Sequence, residues 1–97
     1  MNGLLTELRE GLEADGIPVV PRALSDHRAN LGEGLLYLGD GWHVEVLGEG
    51  RYARLFRLVP AAKPRRLPLR ASAKAVLRDA RDHVLDGVVV DPRRPDR

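Results

Sequence analysis

A chain of 97 residues has the size of one domain, and at this length roughly 60 to 70% of the unfolded surface is buried around a single modest core. It contains no cysteine and only one Phe, one Trp and two Tyr. That excludes disulfides, thiolate metal sites and cysteine nucleophiles, and leaves little ring surface for stacking on single-stranded nucleic acid. The formal net charge of +2 hides a polarised distribution. Met1 to Gly50 holds three Arg against nine acids, a balance of −6, whereas Arg51 to Asp82 holds ten Lys and Arg against only Asp79 and Asp82, a balance of +8.

The N-terminus has no basic segment before Glu7, and no apolar run approaches the ~20 residues that span a bilayer. A soluble, cytoplasmic protein without a membrane partner is the expectation. Leu4, Leu5, Leu8 and Leu12 share one helical face, with Glu7, Glu10 and Glu13 largely on the other and Asn2 available as N-cap. Gly16 supplies a left-handed stop. Ile17 to Val20 then reads as a short strand that Pro18 confines to a sheet edge. Pro21 to Gly34 is a connector in which Ser25 caps one helical turn ending at Asn30.

Three short runs follow, Leu35 to Leu38, Trp42 to Leu47 and Arg51 to Val59, separated by Gly39-Asp40-Gly41 and Gly48-Glu49-Gly50. Glycine-bearing connections of three residues predict a β-meander. Trp42, Val44 and Val46 share one face of the middle strand, His43 and Glu45 the half-exposed other, while both faces of the third strand are mixed. The prolines at 60, 64 and 68 predict an extended, solvated connection. A second helix is expected from about Ala71 to Leu85, packing through Ala73, Leu77, Ala80 and Val84 and stopped by Gly87. Val88 to Val90 reads as a last strand. The fold class is therefore α+β: one domain over residues 1–90, an antiparallel meander covered on one face by two helices in the order α-β-β-β-β-α-β, and a tail over 91–97.

On the second helix Arg70, Lys74, Arg78 and Arg81 are spaced four, four and three apart, a stripe of like charge that costs stability unless an anion faces it. Lys63, Arg65 and Arg66 lie just upstream on the proline-spaced loop. Together these seven predict a nucleic-acid-binding surface with sequence-independent, salt-sensitive affinity. The same polarity also suits a protein partner or a second copy of the chain, a homodimer joined by the opposite charges of its two halves or by a sheet edge. A merely solvated face is the third reading.

Catalytic chemistry finds little material. Ser25-Asp26-His27 has the residue types of a triad, but neighbours in sequence diverge in space, and a local cap is the expectation. Asp79, His83 and Asp86 share a helical face at metal-ligand spacing, without a closing ligand from elsewhere. Gly48-Glu49-Gly50 lacks the residues of a phosphate loop. No enzyme activity, metal or cofactor is expected.

A helix, a three-strand meander and a second helix opening Arg70-Ala-Ser-Ala-Lys74 is similar in order to a double-stranded-RNA-binding domain, although the lysine-rich helix start is reduced to Arg70 and Lys74. Gly39 to Val46 with the following strand and helix looks like the arm-type DNA-binding domain of tyrosine recombinases, which presents a sheet to the major groove, although Asp40, Glu45 and Glu49 here would repel that groove. Neither likeness assigns a family. Both imply a non-enzymatic nucleic-acid-binding module.

Overall fold

The computed structural model describes residues 3–58 and 64–85 of the chain. Helix α1 spans Leu4–Ala14, with Leu8 and Leu12 fully buried and Leu4 and Leu5 packed at the margin of the same cluster. The spaced leucines thus form the packing face. Its N-cap is Gly3, with no side-chain cap bond; the expected cap, Asn2, lies outside the described residues. At the other end Gly16 takes a φ of 81°. The Gly16 amide donates to the Glu13 carbonyl and the Ile17 amide to that of Leu12, the double closure that a left-handed residue permits. Ile17 and Leu12 both enter the core.

Because Ile17 is used in that closure, strand β1 begins later than expected and covers Val20–Arg22. It pairs only with β2 and so forms one sheet edge, the position where Pro21, lacking an amide hydrogen, is tolerated. The connector contains the short helix α2, Asp26–Asn30, whose first turn is closed by the Ser25 hydroxyl accepting from the Arg28 amide at 3.3 Å.

Strands β2 (Gly34–Gly39), β3 (Trp42–Leu47) and β4 (Tyr52–Arg57) form the meander. Burial alternates strictly along β2 and β3, so Leu36, Leu38, Trp42, Val44 and Val46 point into the core. In β4 the mixed pattern resolves in favour of Ala53 and Leu55, opposite Val46 and Val44. Fully burying one such aliphatic side chain contributes about 1.5–3 kcal/mol relative to leaving it exposed.

Within the described part of the proline-spaced connection Arg65 and Arg66 are extended and exposed, as expected, and in addition they form a two-residue strand, β5, antiparallel to β4. The extended backbone favoured around prolines is also strand geometry, and an edge strand needs only backbone donors on one side. The ladder continues past it: the Leu67 amide donates to Leu55, and Ala53 and Arg70 exchange both amide hydrogen bonds, at 2.9 and 2.7 Å.

Helix α3, Ala73–Ala80, begins later than the sequence suggests, because the Ser72 hydroxyl caps it by accepting from the Ala75 amide at 3.3 Å. A widened π turn carries the chain through Arg81–Leu85. Val76, Ala80 and Val84 are buried, with Ala73 and Leu77 partly so. The result is an α+β domain in which a five-stranded antiparallel sheet, ordered β1-β2-β3-β4-β5, carries α1 and α3 on one face. The expected strand Val88–Val90, the Gly87 stop and the 91–97 tail lie outside the described residues.

Candidate functional site

The cations of the basic stretch divide according to what faces them. In the β3–β4 hairpin, Arg54 stands directly opposite Glu45 and donates to it at 3.2 Å, an opposed pair that stabilises strand pairing. Arg57 donates to the Asp40 carbonyl at 2.9 Å and to its carboxylate at 3.0 Å, and lies over the Trp42 ring. Arg51 reaches Glu49 at 3.2 Å. All three partners come from the acidic half of the chain, so part of the polarity evident in the sequence is neutralised within one molecule.

Of the seven predicted site residues, Arg65, Arg66, Lys74 and Arg78 are exposed, and among the described residues none has a carboxylate within 4.0 Å. Lys63 lies outside the described residues. Arg70 and Arg81 differ. Arg81, though exposed, donates to Asp15 at 2.9 Å and ties the end of α3 to the end of α1.

Arg70 precedes the Ser72 cap and is not part of the helix, so the expected four-residue helical stripe does not form. Its Nε and Nη2 instead donate to the two carboxylate oxygens of Asp79, at 2.9 and 3.1 Å. Asp79 is only 5% exposed. The hydrogen bonds that Arg70 donates to this carboxylate, and then the carboxylate's charge, hold the guanidinium protonated above the ordinary arginine range, against a smaller opposing effect of burial. Asp79, grouped with His83 by sequence spacing, is thereby engaged by Arg70, while His83 packs against the Trp42 ring. Asp86 lies outside the described residues. Ser25 serves as the α2 cap, and no group of three or more His, Asp or Glu suited to a metal ion occurs among the described residues.

Two features were not apparent in the sequence. Glu33 joins the connector to the β3–β4 turn: Arg28 donates to one of its oxygens at 2.8 Å and the Glu49 amide to the other at 3.1 Å. The Arg28 hydrogen bond first, then that amide, hold the Glu33 carboxyl below its usual range, with partial burial opposing. The other feature is a row of rings on the face of the sheet away from α1 and α3. Tyr37 and His43 are cross-strand partners with ring centroids 5.0 Å apart, and His43 and Phe56 are partners stacked at 5.2 Å with planes 8° apart. Arg22 lies 5.3 Å from the Tyr37 centroid. Next to Phe56 a shallow depression of about 200 Å³ is lined by Glu45, Arg54, Phe56, Leu58 and Arg66. The available signal was the strand alternation, which assigns each ring to the outward face of its own strand; the alignment of the three follows from the hairpin registers.

No helix among the described residues is long and apolar enough to cross a membrane. No known family, curated protein or solved structure matches the chain, so its functional reading rests on its own residues.

Proposed function

We propose that the chain is a small, non-enzymatic binding module that associates with nucleic acid through the cations of β5 and α3. The observation that carries this reading is the contrast within the basic stretch. Arg51, Arg54, Arg57, Arg70 and Arg81 each face a carboxylate, whereas Arg65, Arg66, Lys74 and Arg78 are exposed without one among the described residues. Helix α3 packs on β4, the strand that β5 borders, so the four lie toward the same edge of the sheet, with Arg66 in register with Phe56 on the face opposite α3. Such charges supply phosphate affinity through counterion release, while Arg70 and Arg81 support the scaffold. Lys63 belongs to the same segment of sequence.

A retardation titration with DNA and with RNA at low and physiological salt tests the reading. Binding that weakens steeply with salt is expected; no binding to either polymer at low salt, where the electrostatic contribution is largest, removes it.

A second reading, docking on a protein or on a second copy, is favoured by a different observation. Glu7, Glu10 and Glu13 are exposed along α1, and none forms an ion pair among the described residues. A basic surface and an acidic surface on one molecule suit a reciprocal dimer, in which each copy sets its basic surface against the acidic surface of the other. Sedimentation of the isolated chain as a dimer that dissociates with added salt is the result that would favour this reading.

A further inference from the structure

The four strand registers place Val20, Tyr37, His43, Phe56 and Arg66 opposite one another, one from each strand. They form a single row across the sheet, about 19 Å long at the usual strand spacing. Both large helices pack on the other face. Tyr37, His43 and Phe56 are half-buried and lie outside the core cluster that holds α1 and α3, so this row of three rings contributes little to that core.

We infer that this row is a binding face for single-stranded nucleic acid, with one base seated against Phe56 in the depression beside Arg66, and with Arg66 and Arg22 meeting phosphates at the two edges. The inference rests on the nucleic-acid reading above and specifies its ligand class.

His43 stacks on one side of Phe56, and β5 lies on the other side of β4, so the second ring face turns toward the depression lined by Arg66, Leu58, Arg54 and Glu45. A flat, apolar ring face beside a guanidinium is the environment that takes a base by stacking and its backbone by charge. The carboxylates on this side are already matched: Glu45 accepts from Arg54 at 3.2 Å with Arg28 at 3.9 Å, and Glu33 is held by Arg28. Arg22 and Arg66 have no carboxylate partner among the described residues, which leaves both for phosphate. Finally, the base faces in a duplex are covered by their neighbours, so only an unpaired strand can present one to Phe56.

Fluorescence anisotropy with a labelled oligothymidylate and a duplex of equal length tests this, using the full chain and its Phe56→Leu and Phe56→Tyr variants, each checked for folding by circular dichroism. Because Phe56 points away from the core, both variants should fold. The single strand should bind more tightly than the duplex. Phe56→Leu should weaken single-strand binding about five- to a hundredfold, as expected for the loss of one stacked base, while Phe56→Tyr, which keeps the ring, should restore it. Equal affinity for both forms, with Phe56→Leu silent and Lys74→Ala/Arg78→Ala weakening both, overturns the inference and leaves the broader reading in place. Absence of binding to either form at low salt overturns both. A Phe56→Leu effect on sedimentation of the free chain, without an effect on oligonucleotide binding, assigns the face to self-association and likewise overturns the inference.

Discussion

Arg70 and Asp79 clasp each other through two parallel hydrogen bonds, from just before the Ser72 cap of α3 to the buried side of its last turn. Arg70 also exchanges backbone hydrogen bonds with Ala53 of β4, so this one residue fixes the helix to the sheet. Reversing the charge, Arg70→Glu, would leave Asp79, which has little access to water, without its counter-charge and set a second carboxylate beside it. Thermal unfolding followed by circular dichroism should show a large loss of stability or of cooperativity for Arg70→Glu. Lys74→Glu, at an exposed position in the first turn of the same helix, should change stability by about half a kcal/mol or less. Similar melting of the two variants would mean that the clasp is not structural.

The Glu33 carboxyl predicts a pH dependence with a definite sign. Its folded-state pKa lies below the usual 4.5 because Arg28, first, and the Glu49 amide hydrogen-bond its ionised form. A carboxyl with a depressed folded-state pKa contributes stability that is fully present above the unfolded pKa and is lost as pH falls through the folded one. Glu33→Gln keeps an acceptor for the Glu49 amide but removes the charge. The urea midpoints of the two proteins should therefore differ most near neutrality and converge as the pH is lowered below the ordinary carboxyl value and through the depressed folded-state one. A gap that is constant with pH would place the effect in packing rather than in the Arg28 pair.

Local chemistry was legible in the sequence wherever one short window contained both the signal and its answer. The α1 leucine face, the Gly16 stop, the Ser25 cap and the alternation of β3 are of this kind, and together they suffice for the α+β class. β5 was not legible because pairing two residues through backbone atoms leaves no side-chain period to read. Arg70 was misplaced because four-residue spacing resembles a helix even where Ser72 interrupts it; the choice of first helical residue moved a guanidinium from a solvent stripe to a buried carboxylate. The ring row required the registers of two hairpins at once. The four Phe, Trp and Tyr residues counted in the sequence looked scattered, but pairing sets two of them, Tyr37 and Phe56, on either side of His43, and no window shorter than the Tyr37–Phe56 span contains that information.

The β3–β4 turn carries a prediction about backbone geometry. Gly50 has a φ of 83°, and a Cβ built there would lie 3.2 Å from the Gly32 carbonyl oxygen. Both the left-handed conformation and this close approach to another turn require the missing side chain. Gly50→Ala should cost at least about 1–2 kcal/mol from the conformation alone, read as a lower urea midpoint with an unchanged denaturant slope. A midpoint equal to that of the native chain would show that the turn relaxes at no cost.

Lys74 and Arg78 provide the sharpest separation between a functional and a decorative basic surface. They are one turn apart on α3 and exposed, and they face no carboxylate among the described residues. Removing them should leave the fold intact. If each meets one phosphate, the double variant Lys74→Ala/Arg78→Ala should bind nucleic acid more weakly and lower the slope of log affinity against log salt by about two. Arg81 is the control on the same surface. Its charge is already shared with Asp15, so Arg81→Ala should change that slope by much less while loosening the α1–α3 contact. A double variant with an unaltered salt slope would mean that these cations are solvated only, and would move the phosphate-binding role to Arg22, Arg65 and Arg66 on the sheet. Measuring both variants in one salt titration therefore locates the contact and does not merely detect binding.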